Sequence, residues 1–126
     1  MKRLFLIDDD EIINHVHSMV IKRIDPTVKL TLFKSGVQFV EAINQESNFE
    51  FPDIIFLDIR MPELSGFDVL DVLLENHQGS LKNTAIFVLS STLDDRDLNK
   101  AVSYPIVTKF MSKPLTFEMV SELLSK

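Results

Sequence analysis

Short apolar runs alternate with longer segments of helical periodicity along this chain. A run of apolar residues bounded by polar ones favours a buried strand, whereas apolar residues three and four positions apart favour a helix. The third such run, "DIIFLD", is apolar without alternation, which is typical of a strand buried on both faces of a sheet. The runs predict five strands, at residues 3–8, 28–34, 53–58, 85–91 and 108–113.

A segment of helical periodicity follows each run, which gives five predicted helices. A strand–helix alternation of this kind predicts an α/β fold, with a doubly wound parallel sheet of five strands and helices on both faces. The helices are expected at residues 11–23, after a candidate capping box from Ser35 to Gln38, and at residues 66–74, 94–102 and 116–124. The periodicity places the following apolar residues on one face of each helix, which we expect to face the core: Ile12, Val16, Met19 and Val20; Val37, Val40 and Ile43; Phe67, Leu70 and Leu74; Leu98, Ala101 and Val102; and Phe117, Val120, Leu123 and Leu124.

The composition narrows the class of protein. With 126 residues, 45% of them hydrophobic and 25% charged, the chain fits one globular domain, which we expect to span residues 1–126. A net charge of −6 argues against nucleic acid or an anionic membrane surface as a partner. Cysteine is absent, which excludes disulfides and thiolate metal sites. No apolar run approaches the roughly 18 residues of a membrane helix, and we expect a cytoplasmic protein.

Polar residues end four of the five predicted strands. Asp8 and Asp9 end the first strand and Asp58 ends the third, whereas Ser90 and Lys113 close the fourth and fifth. Ligands of open parallel sheets bind outside the carboxyl ends of the strands, so these side chains are expected to meet at one edge. Carboxylates that lie close together repel one another unless a cation or a proton is present. Oxygen ligands without His or Cys favour Mg²⁺ or Mn²⁺ over zinc.

This set of residues suits phosphoryl transfer. A carboxylate can act as a nucleophile and form an aspartyl phosphate. Asp58 is the best candidate because it stands between the acid pair on one side and Ser90 and Lys113 on the other. The reaction demands neutralisation of the phosphoryl oxygens, which a divalent cation, the Lys113 ammonium and the Ser90 hydroxyl can provide.

Other polar residues receive a structural interpretation. Asp10 and Glu11 suit the N-cap and first turn of a helix, where the helix dipole favours acids. His15 and His17 lie two positions apart and therefore on different helix faces, which favours surface roles over metal ligation. A surface role is also predicted for His77 in a polar loop, and for Asp94, Asp95 and Asp97 in a solvated helix start.

Four motifs occur in order at the strand ends: "LIDDDE", "FLDIRMPELSGFDVL", "FVLSS" and "FMSKPL". Together they resemble the receiver domain of two-component response regulators over the whole chain. The resemblance implies a flavodoxin-like (βα)5 fold with strand order 2-1-3-4-5. It also implies the stand-alone type of receiver, without an output domain.

The resemblance assigns a role to each site residue. Asp58 would accept a phosphoryl group from a sensor histidine kinase or a phosphotransfer protein. Mg²⁺ would be held by Asp9, Asp58 and the main-chain carbonyl of Arg60, with Asp8 acting mainly through metal-bound water. Lys113 would pair with the phosphoryl group. The only chemistry implied is self-phosphorylation and slow self-dephosphorylation, not enzymatic turnover.

The resemblance also implies a switch and an output surface. Ser90 would move toward the phosphoryl group, Phe110 would move inward with it, and the Lys113–Pro114 bond would be cis. The fourth helix, fifth strand and fifth helix would bind a downstream protein target or form a homodimer. The chain departs from the family pattern at Ser90, where Thr is common, and at Phe110, where Tyr is frequent. Two further departures are Val107-Thr108, where a Gly-Ala pair is often found, and the long segment 73–85.

Two other classes of function remain open from the residues alone. "LIDDDE" also fits a phosphatase of the haloacid-dehalogenase type, with Asp8 as nucleophile and Asp10 as acid–base. Against it, Asp94 and Asp95 precede Lys113, which is the wrong order for that family. The second alternative is an interaction module that has kept the fold but is not phosphorylated.

Overall fold

The computed structural model describes residues 2–92 and 94–125. Met1 and Lys126, which are the limits of the expected domain, and Leu93 lie outside the described residues. Strands and helices alternate as predicted. The strands are β1 (Arg3–Ile7), β2 (Lys29–Phe33), β3 (Ile54–Asp58), β4 (Ala85–Ser90) and β5 (Lys109–Ser112). The helices are α1 (Glu11–Ile24), α2 (Gly36–Gln45), α3 (Gly66–Asn76), α4 (Asp95–Val102) and α5 (Phe117–Leu124), with a short 3₁₀ turn at Gln78–Leu81.

The five strands form one parallel sheet in the order β2-β1-β3-β4-β5, which confirms the doubly wound fold. All five residues of β3 are buried, because this central strand carries helices on both faces of the sheet. Side chains alternate along each strand, so successive residues supply two separate cores. Phe5, Ile55 and Leu57 belong to the core under α2 and α3, whereas Leu6 and Phe56 belong to the core under α1 and α5.

The predicted buried face of α1 is confirmed at Val20 and wrong at its other three residues. Ile12 and Met19 are 75% and 57% exposed, and Val16 is exposed as well. Asn14 and His17 are buried in their place, next to Val20 and Ile21. Both polar side chains have hydrogen-bonding partners: Asn14 Nδ2 donates to the Asp8 carbonyl at 2.8 Å, and His17 Nε2 accepts from the Leu115 N–H at 2.9 Å. A satisfied polar group is tolerated in a core, and the helix is rotated accordingly.

Other side chains also depart from the predictions. The periodicity placed Leu98, Val102 and Phe117 toward the core, but all three are exposed. Phe39 is the fully buried aromatic residue of α2, and α3 buries Val69 and Leu73 where Phe67 and Leu74 were expected. His77 is half-buried, with its ring 5.6 Å from that of Phe51. Asp97 is buried because a guanidinium from the loop after β3 pairs with it.

Candidate functional site

Three carboxylates converge at the carboxyl end of the sheet. β1 and β3 are neighbours with Ile7 opposite Leu57, so the acids that follow these two positions come close together. Asp8, Asp9 and Asp58 each offer an oxygen, and these oxygens all lie within 4.8 Å of one another. Asp8 and Asp58 are buried, whereas Asp9 is exposed. The site therefore opens to solvent on the Asp9 side.

The ammonium group of Lys113 balances part of this negative charge. Its Nζ donates to Asp8 Oδ2 at 3.0 Å and lies 3.3 Å from Asp58 Oδ1. The main-chain N–H of Lys113 donates to the Ser90 carbonyl at 2.8 Å, which fixes the residue just beyond β5. The Lys113–Pro114 bond is cis. Burial alone would lower the pKa of Lys113, but its hydrogen bond with Asp8 and the charge of Asp58 raise this pKa above the ordinary value.

The pKa of Asp58 is raised to about 6. Burial is the main cause, and the negative charge of Asp8 acts in the same direction. The Lys113 charge and the Arg60 N–H, which donates to Asp58 Oδ1 at 3.2 Å, oppose this rise. Asp58 is therefore a carboxylate at neutral pH, but one whose charge is poorly solvated. Such a group gains from any cation that reaches it.

Gly66 places α3 against the phosphoacceptor candidate. A Cβ at this position would lie 2.5 Å from the Asp58 carbonyl oxygen and 2.6 Å from Ile59 Cα. The Gly66 N–H donates to the Ile59 carbonyl at 3.1 Å, so the start of α3 lies directly on the end of β3. Only glycine permits this approach of two backbones. Sequence reasoning assigned no role to Gly66, although its position eight residues after Asp58 at a helix start is visible in the sequence.

Ser90 lies on β4, next to β3, and Phe110 lies on β5, the strand beyond it. Ser90 is fully buried, and its hydroxyl oxygen accepts the Thr92 N–H at 3.2 Å. Phe110 is half-buried against the core under α2 and α3, opposite Val88 in the sheet. The structure thus places Ser90 at the same sheet edge as the acids and places Phe110 one strand further out.

Three contacts near the site escaped sequence reasoning. Asn14 and His17 bridge α1 to the segments that carry Asp8 and Lys113. The Arg60 side chain forms an ion pair with Asp97 of α4. In the sequence these residues resemble ordinary surface positions, and nothing in their spacing reveals the pairing.

The donor set fits a hard divalent cation. The cluster offers carboxylate oxygens only, and Mg²⁺ and Mn²⁺ prefer oxygen ligands. Asp8, Asp9 and Asp58 could hold such an ion with one oxygen each. Lys113 contacts two of the same carboxylates, so the site presents acids and a cation to whatever binds there.

Comparison with known proteins agrees with this architecture. A family model described as "response regulator receiver domain" matches residues 4–125. A two-component response regulator from Cytophaga hutchinsonii is 30% identical, with a TM-score of 0.87 over 98% of this chain and 93% of that one. CheY4 of Vibrio cholerae, at 22% identity and a TM-score of 0.78 over 99% of this chain and 97% of that one, shows the shared fold.

Hybrid signal transduction histidine kinase L of Dictyostelium discoideum is 28% identical over 98% of this chain, which spans only 7% of that protein's length. FilR2 of Methanothrix harundinacea, a probable methanogenesis regulatory protein, is 26% identical over 91% of this chain and 74% of its own length. Among the residues that the structure describes, the helices are too short or too polar to cross a membrane. The chain belongs to the response regulator receiver domain family of two-component signalling.

Proposed function

We propose that this chain is a phosphoacceptor switch in a two-component system or phosphorelay. Asp58 accepts a phosphoryl group from a sensor histidine kinase or a phosphotransfer protein, and the modified domain presents a changed surface to a downstream protein. The observation that carries this proposal is the environment of Asp58. It is a buried carboxylate with a raised pKa, with two further acids on one side and Lys113 Nζ 3.3 Å away.

The transfer step uses the ionised form of Asp58. A carboxylate oxygen forms a bond to phosphorus while the phosphorus–nitrogen bond of the donor phosphohistidine breaks, and the imidazole nitrogen keeps the electron pair and takes a proton. With acetyl phosphate as donor, the phosphorus–oxygen bond breaks and acetate leaves. The transition state spreads charge over the equatorial phosphoryl oxygens. Lys113 is close enough to Asp58 to neutralise one of them.

We assign the metal to the acid cluster. Asp8, Asp9 and Asp58 would hold Mg²⁺ together with the main-chain carbonyl of Arg60, and the ion would neutralise phosphoryl oxygens when bound. Asp8 already accepts the Asp10 N–H through Oδ1 at 3.0 Å and the Lys113 ammonium through Oδ2. Because both carboxylate oxygens of Asp8 already accept hydrogen bonds, Asp8 suits an indirect role through metal-bound water.

The output is assigned to Ser90 and to the surface beyond it. The Ser90 hydroxyl accepts from Thr92 and retains its own proton, which it can donate to a phosphoryl oxygen. Movement of Ser90 would leave space for Phe110, and the surface of α4, β5 and α5 would change with it. We propose that this domain, cytoplasmic and without catalytic turnover of its own, signals through this surface to a protein target or to a second copy of itself.

Intact-mass analysis tests the proposal directly. Incubation with acetyl phosphate and Mg²⁺ should add one phosphoryl group to the wild-type protein, and EDTA should prevent it. Asp58→Asn should gain none, whereas Asp95→Asn, which removes an exposed acid of α4, should behave like the wild type. Stoichiometric labelling of Asp58→Asn would refute the site.

A phosphatase assay and the phosphorylation assay together separate the two alternatives. Turnover of p-nitrophenyl phosphate that survives in Asp58→Asn and is lost in Asp8→Asn would support the phosphatase. A wild-type protein that gains no phosphoryl group from acetyl phosphate or from phosphohistidine donors would support the interaction module.

A further inference from the structure

Helix α4 has little apolar attachment to the rest of the domain. Of its eight residues, Ala101 and Asp97 are the buried ones, while Val102 is 59% exposed and Leu98 is 38% exposed. Ala101 is a small side chain and contributes little buried area. The position of the helix therefore depends on polar contacts at its two ends.

The contact at the carboxyl-terminal end of α4 is made with α3. The Tyr104 hydroxyl donates to Asp71 Oδ1 at 2.7 Å, and the Tyr104 ring stacks on that of Phe67 with centroids 6.2 Å apart. Lys100 Nζ lies 4.5 Å from the centroid of the Phe67 ring. None of these contacts involves a residue of the phosphoacceptor site.

The contact at the amino-terminal end leads to the site. The Arg60 guanidinium pairs with the Asp97 carboxylate, and the main-chain N–H of the same Arg60 donates to Asp58 Oδ1. The Asp97 side chain is only 12% exposed, whereas that of Arg60 is 63% exposed. The more exposed partner of this pair is thus the one whose backbone already donates a hydrogen bond to the phosphoacceptor.

We propose that Asp97 is a positioning residue for Arg60, and that a phosphoryl group on Asp58 competes with Asp97 for the guanidinium. The inference rests on the proposed phosphorylation of Asp58. An aspartyl phosphate carries about −1.5 to −2 charges where the carboxylate carried −1. A guanidinium binds phosphoryl oxygens through paired hydrogen bonds, so the new group is the stronger acceptor.

The exchange has two consequences. Asp97 loses its partner while it remains mostly buried, and an unpaired buried charge is costly. The first turn of α4 then loosens, because that ion pair is its attachment to the loop after β3. The second consequence concerns the phosphoryl group, whose oxygens are partly covered by the Arg60 side chain.

Hydrolysis of the aspartyl phosphate provides the readout. The oxygen of an attacking water forms a bond to phosphorus, and the bond between phosphorus and the Asp58 oxygen breaks. Both protons of that water leave with inorganic phosphate, and the carboxylate is restored. A guanidinium on the phosphoryl oxygens hinders the approach of water. Asp97→Asn should therefore lengthen the phosphoryl lifetime and Arg60→Gln should shorten it, each by about two- to fivefold, as is typical of a partly exposed ion pair.

The experiment is a double-mutant cycle on the full chain. Wild type, Asp97→Asn, Arg60→Gln and the double variant are phosphorylated with acetyl phosphate and Mg²⁺, the donor is removed, and the phosphorylated fraction is followed by intact mass. Asp97→Asn should have no effect on lifetime in the Arg60→Gln background. Asp95→Asn is the matched control, because it removes an exposed acid from the same helix turn.

Hydrogen exchange at the Leu98 amide supplies a readout of α4 itself. This N–H donates to the Asp94 carbonyl at 2.9 Å and is the first helical bond of α4. Its exchange should accelerate on phosphorylation in the wild type, and should be fast in Asp97→Asn and Arg60→Gln whether or not they are phosphorylated. Asp97→Glu, which keeps the charge, should restore dependence on phosphorylation.

Each result bears on the inference. Equal effects of Asp97→Asn on lifetime in both backgrounds would show a general structural role of Asp97 and overturn the competition. Unchanged Leu98 exchange on phosphorylation of the wild type would overturn the release of α4. A wild-type protein that gains no phosphoryl group would refute the proposed function, and this inference with it.

Discussion

Replacement of His17 by glutamine isolates the effect of one buried histidine on acid stability. His17 is 1% exposed, and its Nε2 accepts the Leu115 N–H. Burial lowers the pKa of His17 to about 4, with the charge of Asp8 opposing and that of Lys113 assisting the shift. The folded protein therefore keeps the imidazole neutral, whereas the unfolded chain binds a proton near the ordinary pKa of 6.5.

The sign and size of the effect follow from these two values. The pKa of His17 is lower in the folded state than in the unfolded state. The contribution of neutral His17 to the free energy of unfolding is therefore fully present above pH 6.5 and is lost as pH falls toward 4. Proton linkage for a single site gives a loss in the free energy of unfolding of about 1.4 kcal/mol at pH 5.5 and about 2.5 kcal/mol at pH 4.5. Asp58, with its raised pKa, acts in the opposite direction because its protonation favours the folded state.

Urea unfolding of wild type and His17→Gln between pH 8 and pH 4.5, in EDTA, separates the contribution of His17 to stability from that of Asp58. The glutamine has no proton to bind, and the contribution of Asp58 cancels between the two proteins at each pH. The difference in free energy of unfolding should change by about 2.5 kcal/mol in favour of the variant across this range. His15→Gln, an exposed change on the same helix, is the matched control and should follow the wild type. Parallel pH profiles for wild type and His17→Gln would refute the buried neutral imidazole.

Three further predictions concern the site. Gly66→Ala should reduce the free energy of unfolding by about 1–3 kcal/mol in urea titrations, because its Cβ would overlap the Asp58 carbonyl, whereas Gly79→Ala, in open space, should not. Lys113→Met should slow phosphorylation by acetyl phosphate at least about tenfold, and an unchanged rate would exclude Lys113 from the transfer step. Ser90→Ala should still be phosphorylated at Asp58 but should show no change in the hydrogen exchange of β5 amides on phosphorylation, so a wild-type response of β5 would contradict its switch role.

The strands were the most predictable part of the fold. Residues 53–58 were expected as a buried strand, and β3 covers Ile54–Asp58. A continuous apolar run has one simple solution in an α/β protein, which is burial between two helical layers. The strand order came from the resemblance to receiver domains, because apolar periodicity carries no information on which strands are neighbours.

Helix faces were less predictable, and α1 shows why. Hydropathy treats Asn14 and His17 as surface residues and Ile12 as a core residue, but the structure has the reverse arrangement. The partner of His17 is the N–H of Leu115, which lies 98 positions away in the sequence. A pattern within one helix cannot reveal that a polar group will be satisfied by a distant segment.

The candidate site divides in the same way. Its acids and Lys113 could be located in advance, because a parallel sheet gathers the carboxyl ends of its strands at one edge. Arg60 and Asp97 could not be paired in advance, since they lie 37 positions apart and each resembles a solvated charge. The part of the site set by topology was therefore predictable, and the part set by side-chain pairing was not.

The charge balance of the site favours a response of the Arg60 side chain to phosphorylation of Asp58. Three carboxylates and one ammonium leave two net negative charges, which one divalent cation would cancel. Phosphorylation replaces the single charge of Asp58 by up to two and leaves the site with about one uncompensated negative charge. Arg60 already has its main-chain N–H on Asp58 and a side chain that is 63% exposed, so we infer that its guanidinium supplies the missing positive charge. The buried acid that it would leave, Asp97, belongs to α4, whose other buried residue is the small Ala101, and this helix is where the electrostatic change would become a structural one.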